Sequence, residues 1–165
     1  MDYSVILQKL PESLSALQEL EEAKRGTPQG VAALTIAALC LYPRDKETCY
    51  EMLDWLRGPR PLSPMEKQFI RDRVMDNQDY IPRSYFAGAT PENDYQPSQP
   101  LTLVFRDRAN QPVEKDYRIL EIRSGGADSP RTVTLRQKPS TGEWFLWDQA
   151  LLAGIRAPKS KDEWA

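Results

Sequence analysis

The sequence predicts an α+β fold, in which an N-terminal bundle of about four helices packs on a C-terminal four-stranded antiparallel sheet. Three observations predict this fold. Helical hydrophobic periodicity runs through residues 1–76, alternating strand patterns run through residues 101–165, and the 14 prolines mostly separate these stretches. We therefore expect a single domain over residues 1–165. The long segment 77–100 matches no periodic pattern, and we expect it to be an ordered loop between the helical and sheet parts.

The first half of the helical part is predicted from leucine spacing and capping residues. Residues 12–23 place leucines on one side of a helix, and residues 3–10 could form a shorter helix before it. A second helix begins with Thr27 as N-cap and Pro28 in its first turn. Its sequence, VAALTIAALCLY, is apolar on nearly all sides, so we expect it to be central.

The second half of the helical part has clearer ends. A third helix is predicted over residues 45–57, because an apolar stripe recurs at helical spacing and a Gly-Pro pair follows it. A fourth helix begins at a capping box formed by Ser63 and Glu66. Its apolar side is expected to consist of Met65, Phe69, Ile70 and Val74.

The C-terminal part reads as strands joined by short connections. Alternation and β-branched content predict strands over four ranges: Leu101–Arg106, Tyr117–Arg123, Thr132–Lys138 and Glu143–Trp147. Short connections favour an antiparallel meander. We expect Asp148 to cap a last short helix. A curved sheet with the helices across its concave side would enclose a cone-like pocket.

Composition and charge exclude several function classes. The chain has 22 basic and 24 acidic residues, spread evenly, which argues against nucleic acid as a partner. Its longest apolar run is too short to cross a membrane and its start is no secretory signal, so we expect a cytoplasmic protein. There is no histidine, and Cys40 and Cys49 read as reduced core residues. The sequence marks no catalytic residue, metal ligand or cofactor site.

The segment 77–100 is the predicted ligand- or partner-binding surface. It carries four aromatic side chains among charged ones, and long loops on a rigid scaffold are frequent sites of function. We expect Tyr85 or Phe86 to be buried, and Arg83 and Tyr95 to stay accessible. The candidate residues are Arg83, Tyr85, Tyr95, Asp79, Glu92 and Asp94. The alternative is a loop held to the core by its own aromatic residues.

Three further features have both a functional and an ordinary interpretation. Arg123 and Arg136 on the outer sheet face are candidate contacts for an acidic partner, although such rows are usually solvated. Gly125 and Gly126 could hold an anion through backbone N–H groups, or simply form a hairpin connection. The carboxylates flanking the long segment, Asp76 among them, could bind calcium or act in acid–base chemistry, but their spacing suits turn and cap hydrogen bonds better.

Three strings in the chain carry a family resemblance: PLSPMEKQFIRDR, DYIPRSYFAGATPENDYQPSQP and GADSPRTVTLRQKPSTGEWFLWDQALLAGIRAPKSKDEWA. They resemble small proteins encoded by gut Firmicutes that form a domain of unknown function. The resemblance covers the whole chain and implies a stand-alone bacterial protein. It implies no activity, cofactor or catalytic residue.

The sequence therefore favours a non-catalytic cytoplasmic binding or accessory protein whose partner is a protein or a small molecule. The alternative is a small-molecule-binding protein or weak enzyme with a pocket between the helices and the curved sheet. The two differ in one structural respect. Tyr, Arg and carboxylate side chains either converge in a concave site or spread over a flat surface.

Overall fold

The computed structural model describes residues 1–75 and 78–164 and shows an α+β fold with one antiparallel sheet. The sheet has five strands rather than the four that the sequence predicts, and they lie side by side in chain order. The meander of the C-terminal part is thus confirmed, and a strand from the N-terminus is added at its edge. The strands are β1 Asp2–Leu7, β2 Leu101–Asp107, β3 Tyr117–Ile122, β4 Arg131–Gln137 and β5 Trp144–Gln149.

Helices cover one face of this sheet. They are α1 Leu14–Gln18, α2 Pro28–Leu41, α3 Lys46–Arg57, α4 Pro64–Val74 and the single turn α5 Tyr80–Arg83. Short 3-10 turns occur at Glu21–Lys24, Pro91–Asn93 and Lys159–Lys161. Within the described residues, no helix combines the length and apolar character that a membrane crossing requires.

The short N-terminal helix expected over residues 3–10 is wrong, because this segment forms β1. Val5 and Leu7 are buried while Ser4 is exposed and Ile6 is half exposed, which is the alternation of a strand with one face on the core. β1 pairs in unbroken antiparallel register with β2, from Asp2 opposite Arg106 to Leu7 opposite Leu101. The apolar residues fit both a helical and a strand period, and pairing with β2 decides between them.

Two other predicted helices differ from the structure. The helix expected over residues 12–23 is interrupted after Gln18, and a 3-10 turn follows that ends at Arg25 in a left-handed conformation. The C-terminal helix expected after Asp148 does not form, because β5 continues through this residue to Gln149. Leu151 and Leu152 are nevertheless buried, so the chain after β5 contacts the core without being helical.

α2 is the centre of the core, as its sequence predicts. The Thr27 side chain accepts a hydrogen bond from Gly30 N–H and caps the helix, and all residues from Val31 to Leu39 are buried. The helix lies between α3 and the inner face of the sheet, where it contacts β3, β4, β5 and β1. It therefore occupies the space in which a cone-like pocket was expected.

α3 and α4 begin where the sequence predicts. Asp45 caps α3 by accepting a hydrogen bond from Thr48 N–H at 3.1 Å, and the capping box of α4 is present in both directions. The predicted apolar side of α4 is only half right. Ile70 and Val74 are buried, but Met65 and Phe69 are exposed, because this helix lies at the periphery and reaches the core mainly near its C-terminal end.

A buried arginine joins the helices to the last strand. The Arg25 guanidinium donates to Leu56 O at 3.2 Å, to Trp55 O and to Trp144 O, and it stacks on the rings of Trp55 and Phe145. Two of these carbonyls belong to the last turn of α3, where helical carbonyls lack partners within the helix. Burial lowers the pKa of this guanidinium from its usual value. Arg25 thus serves as a C-terminal cap for α3.

Candidate functional site

The sheet splits between β2 and β3, and this split forms a concave feature of the outer face. The ladder between the two strands ends at the pair of Phe105 and Ile122. The next position of the same register joins Val104 to Arg123, but no backbone hydrogen bond connects them. The strands therefore diverge from this point toward the start of β2.

Residues 84–90, here called the wedge segment, occupy part of the gap. Ala87 N–H donates to Thr102 O and Gly125 N–H donates to Ser84 O, both at 2.9 Å, so the segment bonds to both sides of the split. Alternate residues of a strand direct their backbone groups to the same side. The bond at Thr102 thus shows that Val104 also points its N–H and C=O into the gap.

Two side chains anchor the wedge segment in the core. Tyr85 and Phe86 are both buried, as expected, and the Tyr85 hydroxyl donates to Leu151 O. Burial raises the pKa of this phenol well above its usual value. The next two residues of the wedge segment, Ala87 and Gly88, are exposed. The segment therefore closes the inner side of the split and leaves the outer side open.

A cleft of about 410 Å³ remains on the outer side, and we call it the split-sheet cleft. Its charged side chains are Asp2, Arg106, Glu121 and Arg123. Arg106 Nε lies 2.6 Å from Glu121 Oε1, so these two charges compensate each other. Arg123 is exposed and forms no ion pair or side-chain hydrogen bond within residues 1–75 and 78–164. Asp2 is exposed as well and has no ion pair among these residues, so the cleft presents one unpaired guanidinium and one unpaired carboxylate beside backbone groups that have no partner in the described part of the chain.

The two serine hydroxyls at the cleft are engaged in structure. The Ser124 hydroxyl donates to Ser84 Oγ at 2.7 Å, and the Ser84 hydroxyl donates in turn to Ile81 O at 2.7 Å. Both serines are buried, and Gly126 N–H donates to Ser124 Oγ at 3.0 Å. Neither hydroxyl contacts a basic side chain, so neither has the partner that an activated nucleophile needs.

The glycine pair after β3 is required by close packing rather than by anion binding. A Cβ atom on Gly125 would lie 1.9 Å from Ala89 O, and one on Gly126 would lie 2.1 Å from the Tyr95 hydroxyl oxygen. Both N–H groups already donate, to Ser84 O and to Ser124 Oγ. The turn is therefore pressed against the segment before β2 and has no N–H left for an anion at these two residues.

Arg83 and its neighbours form a structural cluster away from the cleft. Arg83 Nη1 lies 2.6 Å from Asp79 Oδ2, and the same guanidinium donates to Asp94 O at 3.2 Å and to Tyr95 O at 3.4 Å. Its side chain keeps 27% of its surface exposed, so it is accessible, as expected, but it is already paired. Asp94 and Tyr95 both have positive φ, and Arg83 holds this turn in place.

Tyr95 contradicts the sequence-based expectation that it stays accessible, because it is fully buried. Its ring stacks on Tyr80 with centroids 5.5 Å apart, and its hydroxyl donates to Arg156 O at 2.5 Å. Burial raises the pKa of this phenol to about 12. The left-handed turn before it directs the ring inward over Gly126. The side chain thus ties the long segment to the C-terminal residues.

The remaining acidic candidates also contact the C-terminal segment. Glu92 lies 3.8 Å from Lys159 Nζ, and Asp94 accepts a hydrogen bond from Ser160. Among the residues that the structure describes, no group of three or more Cys, Asp or Glu side chains could hold a metal ion. Asp76, one of the carboxylates considered for calcium or acid–base chemistry, lies outside the described residues, as does Asn77.

Arg136 belongs to an aromatic cluster on the outer face rather than to the cleft. Its guanidinium stacks 5.1 Å from the centroid of Tyr117 and 4.9 Å from that of Trp147. Arg60 stacks on the same indole at 3.8 Å. Of the eight residues predicted as a site, Arg123 contributes its side chain to the cleft, and Tyr85 lines it from the wedge segment.

Sequence reasoning missed Val104, Arg106 and Glu121. Their alternation places them on the outer face of the sheet, which is a signal that the sequence contains. These residues form a site only because the β2–β3 ladder is interrupted beside them. The interruption involves residues that are more than fifteen positions apart in the chain and come together only in the folded protein.

Comparisons with known proteins give a family and no assigned activity. A family model described as "Domain of unknown function (DUF6935)" matches residues 9–159. No curated protein and no solved structure matches the chain. The match confirms the resemblance to an uncharacterised family, while an origin in gut Firmicutes stays a prediction.

Proposed function

The chain belongs to the family of the domain of unknown function DUF6935, and we propose that it is a non-catalytic binding protein whose ligand site is the split-sheet cleft. One observation carries this proposal. The β2–β3 ladder stops at Phe105 and Ile122, and within residues 1–75 and 78–164 it leaves Val104 and Arg123 without backbone partners beside the unpaired guanidinium of Arg123. Unpaired backbone groups are costly where water is excluded, and a ligand bound in the cleft would satisfy them.

The chemistry of the cleft supports a small carboxylic acid that also carries an N–H or O–H donor. Arg123 offers a guanidinium, which pairs well with a carboxylate through two parallel hydrogen bonds. The backbone C=O groups of Val104 and Arg123 would accept from the donor. The volume of about 410 Å³ lies within the range of small-molecule sites, which is roughly 300–1,000 Å³.

The cleft geometry supports binding rather than catalysis. Its two serine hydroxyls, on Ser84 and Ser124, both take part in a buried hydrogen-bond chain. Of its two carboxylates, Asp2 and Glu121, Glu121 is paired with Arg106. The chain also has no histidine to serve as a general base. The pocket lies on the outer face of the sheet, whereas the sequence-based alternative placed a pocket between the helices and the sheet.

A protein partner is the second candidate, and the aromatic cluster favours it. Tyr117 and Trp147 lie on the outer face with Arg136 and Arg60 stacked on them. Aromatic and arginine side chains are enriched among the residues that contribute most to protein interfaces. Such a partner would cover a surface beside the cleft rather than enter it.

Affinity selection tests the small-acid proposal. The purified protein is mixed with a panel of small hydroxy and amino acids and passed over a gel-filtration column, and mass spectrometry identifies the acids that remain bound. Arg123→Gln removes the cation of the cleft. Arg71→Gln is the matched control, because Arg71 is an exposed arginine on α4 away from the cleft.

We expect the wild-type protein and Arg71→Gln to retain the same acid and Arg123→Gln to lose it. Retention of no acid by the wild-type protein contradicts the proposal. Equal retention by Arg123→Gln contradicts it as well, because the cation of the cleft would then not contribute.

A further inference from the structure

The two edge strands of the sheet differ in how far their backbone groups are already engaged by other parts of the protein. This difference indicates an interaction surface at one edge. β5 forms one edge, and its backbone is engaged by neighbouring groups. Trp144 N–H donates to Arg25 O, and Trp147 O accepts from both Arg57 and Arg60. A register shift also interrupts the β4–β5 ladder. Both devices discourage the pairing of a further strand at an edge.

β1 forms the other edge and has neither device. Its register with β2 is continuous, and its sequence, DYSVIL, contains no lysine, arginine or proline and only one charged residue, Asp2, at its first position. Charge, proline and bulges are the usual means by which natural proteins protect an edge strand. β1 is therefore an extended edge of six residues that is open to a further strand.

The backbone groups that face this open edge can be identified. The Thr102 carbonyl accepts from Ala87 N–H on the β3 side of β2, so Thr102 points away from β1. Its partner Ile6 consequently does not bond to β2, and alternation assigns the same orientation to Asp2 and Ser4. No described residue bonds to the backbone of Ser4 or Ile6 on the outer side.

We propose that β1 pairs with β1 of a second copy of this chain, in antiparallel orientation about a twofold axis at Ser4. This register pairs all three edge-facing residues at once, because Ser4 lies opposite Ser4 of the second copy and Asp2 lies opposite Ile6. It also keeps the two Asp2 carboxylates apart. The inference rests on the fold and not on the proposed ligand.

The side chains beside the axis fit this pairing. Tyr3 of each copy would lie opposite Val5 of the other, and pairs of an aromatic and a β-branched residue stabilise neighbouring strands. Ser4 is small and exposed, so the backbones can approach closely. Two joined strands bury less area than the roughly 1,200 Å² of a standard interface, so the dimer is expected to be concentration-dependent.

The twofold axis would also relate the two clefts. It runs perpendicular to a continuous ten-stranded sheet, five strands from each copy, and leaves both outer faces on the same side. Asp2 belongs to the split-sheet cleft and to the β1 edge. The dimer would therefore present two clefts on one surface.

Sedimentation velocity over a wide range of protein concentrations tests the proposal. Ser4→Lys places two like charges opposite each other at the axis, and Ser4→Pro removes the central N–H donor of each copy without removing a β1–β2 bond. Loss of these two hydrogen bonds should weaken dimerisation by roughly tenfold to a hundredfold. Ser140→Lys, in the exposed β4–β5 turn, is the control for added charge.

We expect the wild-type protein and Ser140→Lys to shift from 18.9 kDa to twice that mass as concentration rises, and Ser4→Lys to remain monomeric. Amide exchange at Ser4 and Ile6 should slow as the wild-type protein associates. A wild-type protein that stays monomeric at all concentrations overturns the proposal. So does a Ser4→Lys protein that dimerises like wild type, which would place another surface at the interface.

Discussion

The Ser124 hydroxyl donates to Ser84 Oγ at 2.7 Å across the split in the sheet. The bond is buried and connects the second residue after β3 to the first residue of the wedge segment. Gly125 N–H donates to Ser84 O beside it. The divergence of β2 and β3 is therefore a defined feature held by specific bonds, and the cleft that it creates has fixed walls.

Ser124→Ala should lower the melting temperature. The change removes the hydrogen bond that the buried Ser84 Oγ accepts, and it removes the acceptor of Gly126 N–H. We expect the free energy of unfolding to fall by about 1–3 kcal/mol. Ser140→Ala, at an exposed turn position, is the control and should melt like wild type. A melting temperature unchanged by Ser124→Ala would show that the bond does not hold the split.

Arg25→Met should destabilise the fold more strongly. Methionine preserves much of the buried volume but leaves the carbonyls of Leu56 and Trp144 without their donor. We expect a loss of roughly 2–4 kcal/mol, measured by urea unfolding. Arg71→Met, at an exposed position, should change the midpoint little. Equal midpoints for the two variants would refute the capping role of Arg25.

Tyr95→Phe should make the protein less sensitive to alkaline pH. The folded-state pKa of this phenol is raised to about 12 by burial, whereas in the unfolded chain it is about 10. The phenol therefore stabilises the fold fully below about pH 10, and this contribution is lost as the pH rises toward about 12. Tyr85 also has a raised pKa, so the variant should lose only part of the effect.

The measurement for this prediction is the free energy of unfolding in urea at a series of pH values from about 8 to about 11.5. At neutral pH, Tyr95→Phe should be less stable by about 1 kcal/mol, because the bond to Arg156 O is lost. Its decline with pH should be shallower than that of the wild-type protein. If the free energies of unfolding of the two proteins fell in parallel as the pH rose, the Tyr95 phenol would have the same pKa in the folded and the unfolded chain, which would contradict the prediction.

Both cysteines should react slowly with thiol reagents in the native protein. Burial raises the pKa of the Cys40 thiol to about 12, and it also raises the pKa of Cys49. The thiolate is the reactive form, so its fraction near neutral pH is far below that of a free cysteine. Labelling in denaturant is the control and should be fast. Fast labelling of the native protein at either position contradicts this account.

Local signals in the sequence predicted helix starts well. Thr27 and Ser63 are caps as predicted, and Asp45, the predicted first residue of the third helix, is its cap, because a cap depends on the few residues that follow it. The predicted helix at the N-terminus is wrong because this segment forms a strand only by pairing with β2, which lies almost a hundred residues further along the chain. Alternation could have suggested a strand, but nothing local identifies its partner.

The candidate site shows the same limit. Alternation correctly placed Arg123 on the exposed face of the sheet. Tyr95 was expected to be accessible, but two successive left-handed residues turn its ring inward, and only glycine at position 126 leaves room for it. Arg83 has the exposure that was expected, but its partners Asp79, Asp94 and Tyr95 meet only in the fold. The burial of Tyr95 and the partners of Arg83 therefore depend on contacts between residues that are distant in the sequence.

Amide chemical-shift mapping shows directly whether the split-sheet cleft binds a small acid. The panel of small hydroxy and amino acids is titrated into the isotope-labelled wild-type protein and into Val104→Trp, which fills the cleft from an exposed strand position. We expect the shifts caused by a bound acid to centre on the amides of Val104, Arg123 and Gly88 and to disappear in Val104→Trp. Shifts that centre elsewhere, persist in the filled variant or fail to appear with any acid would contradict it.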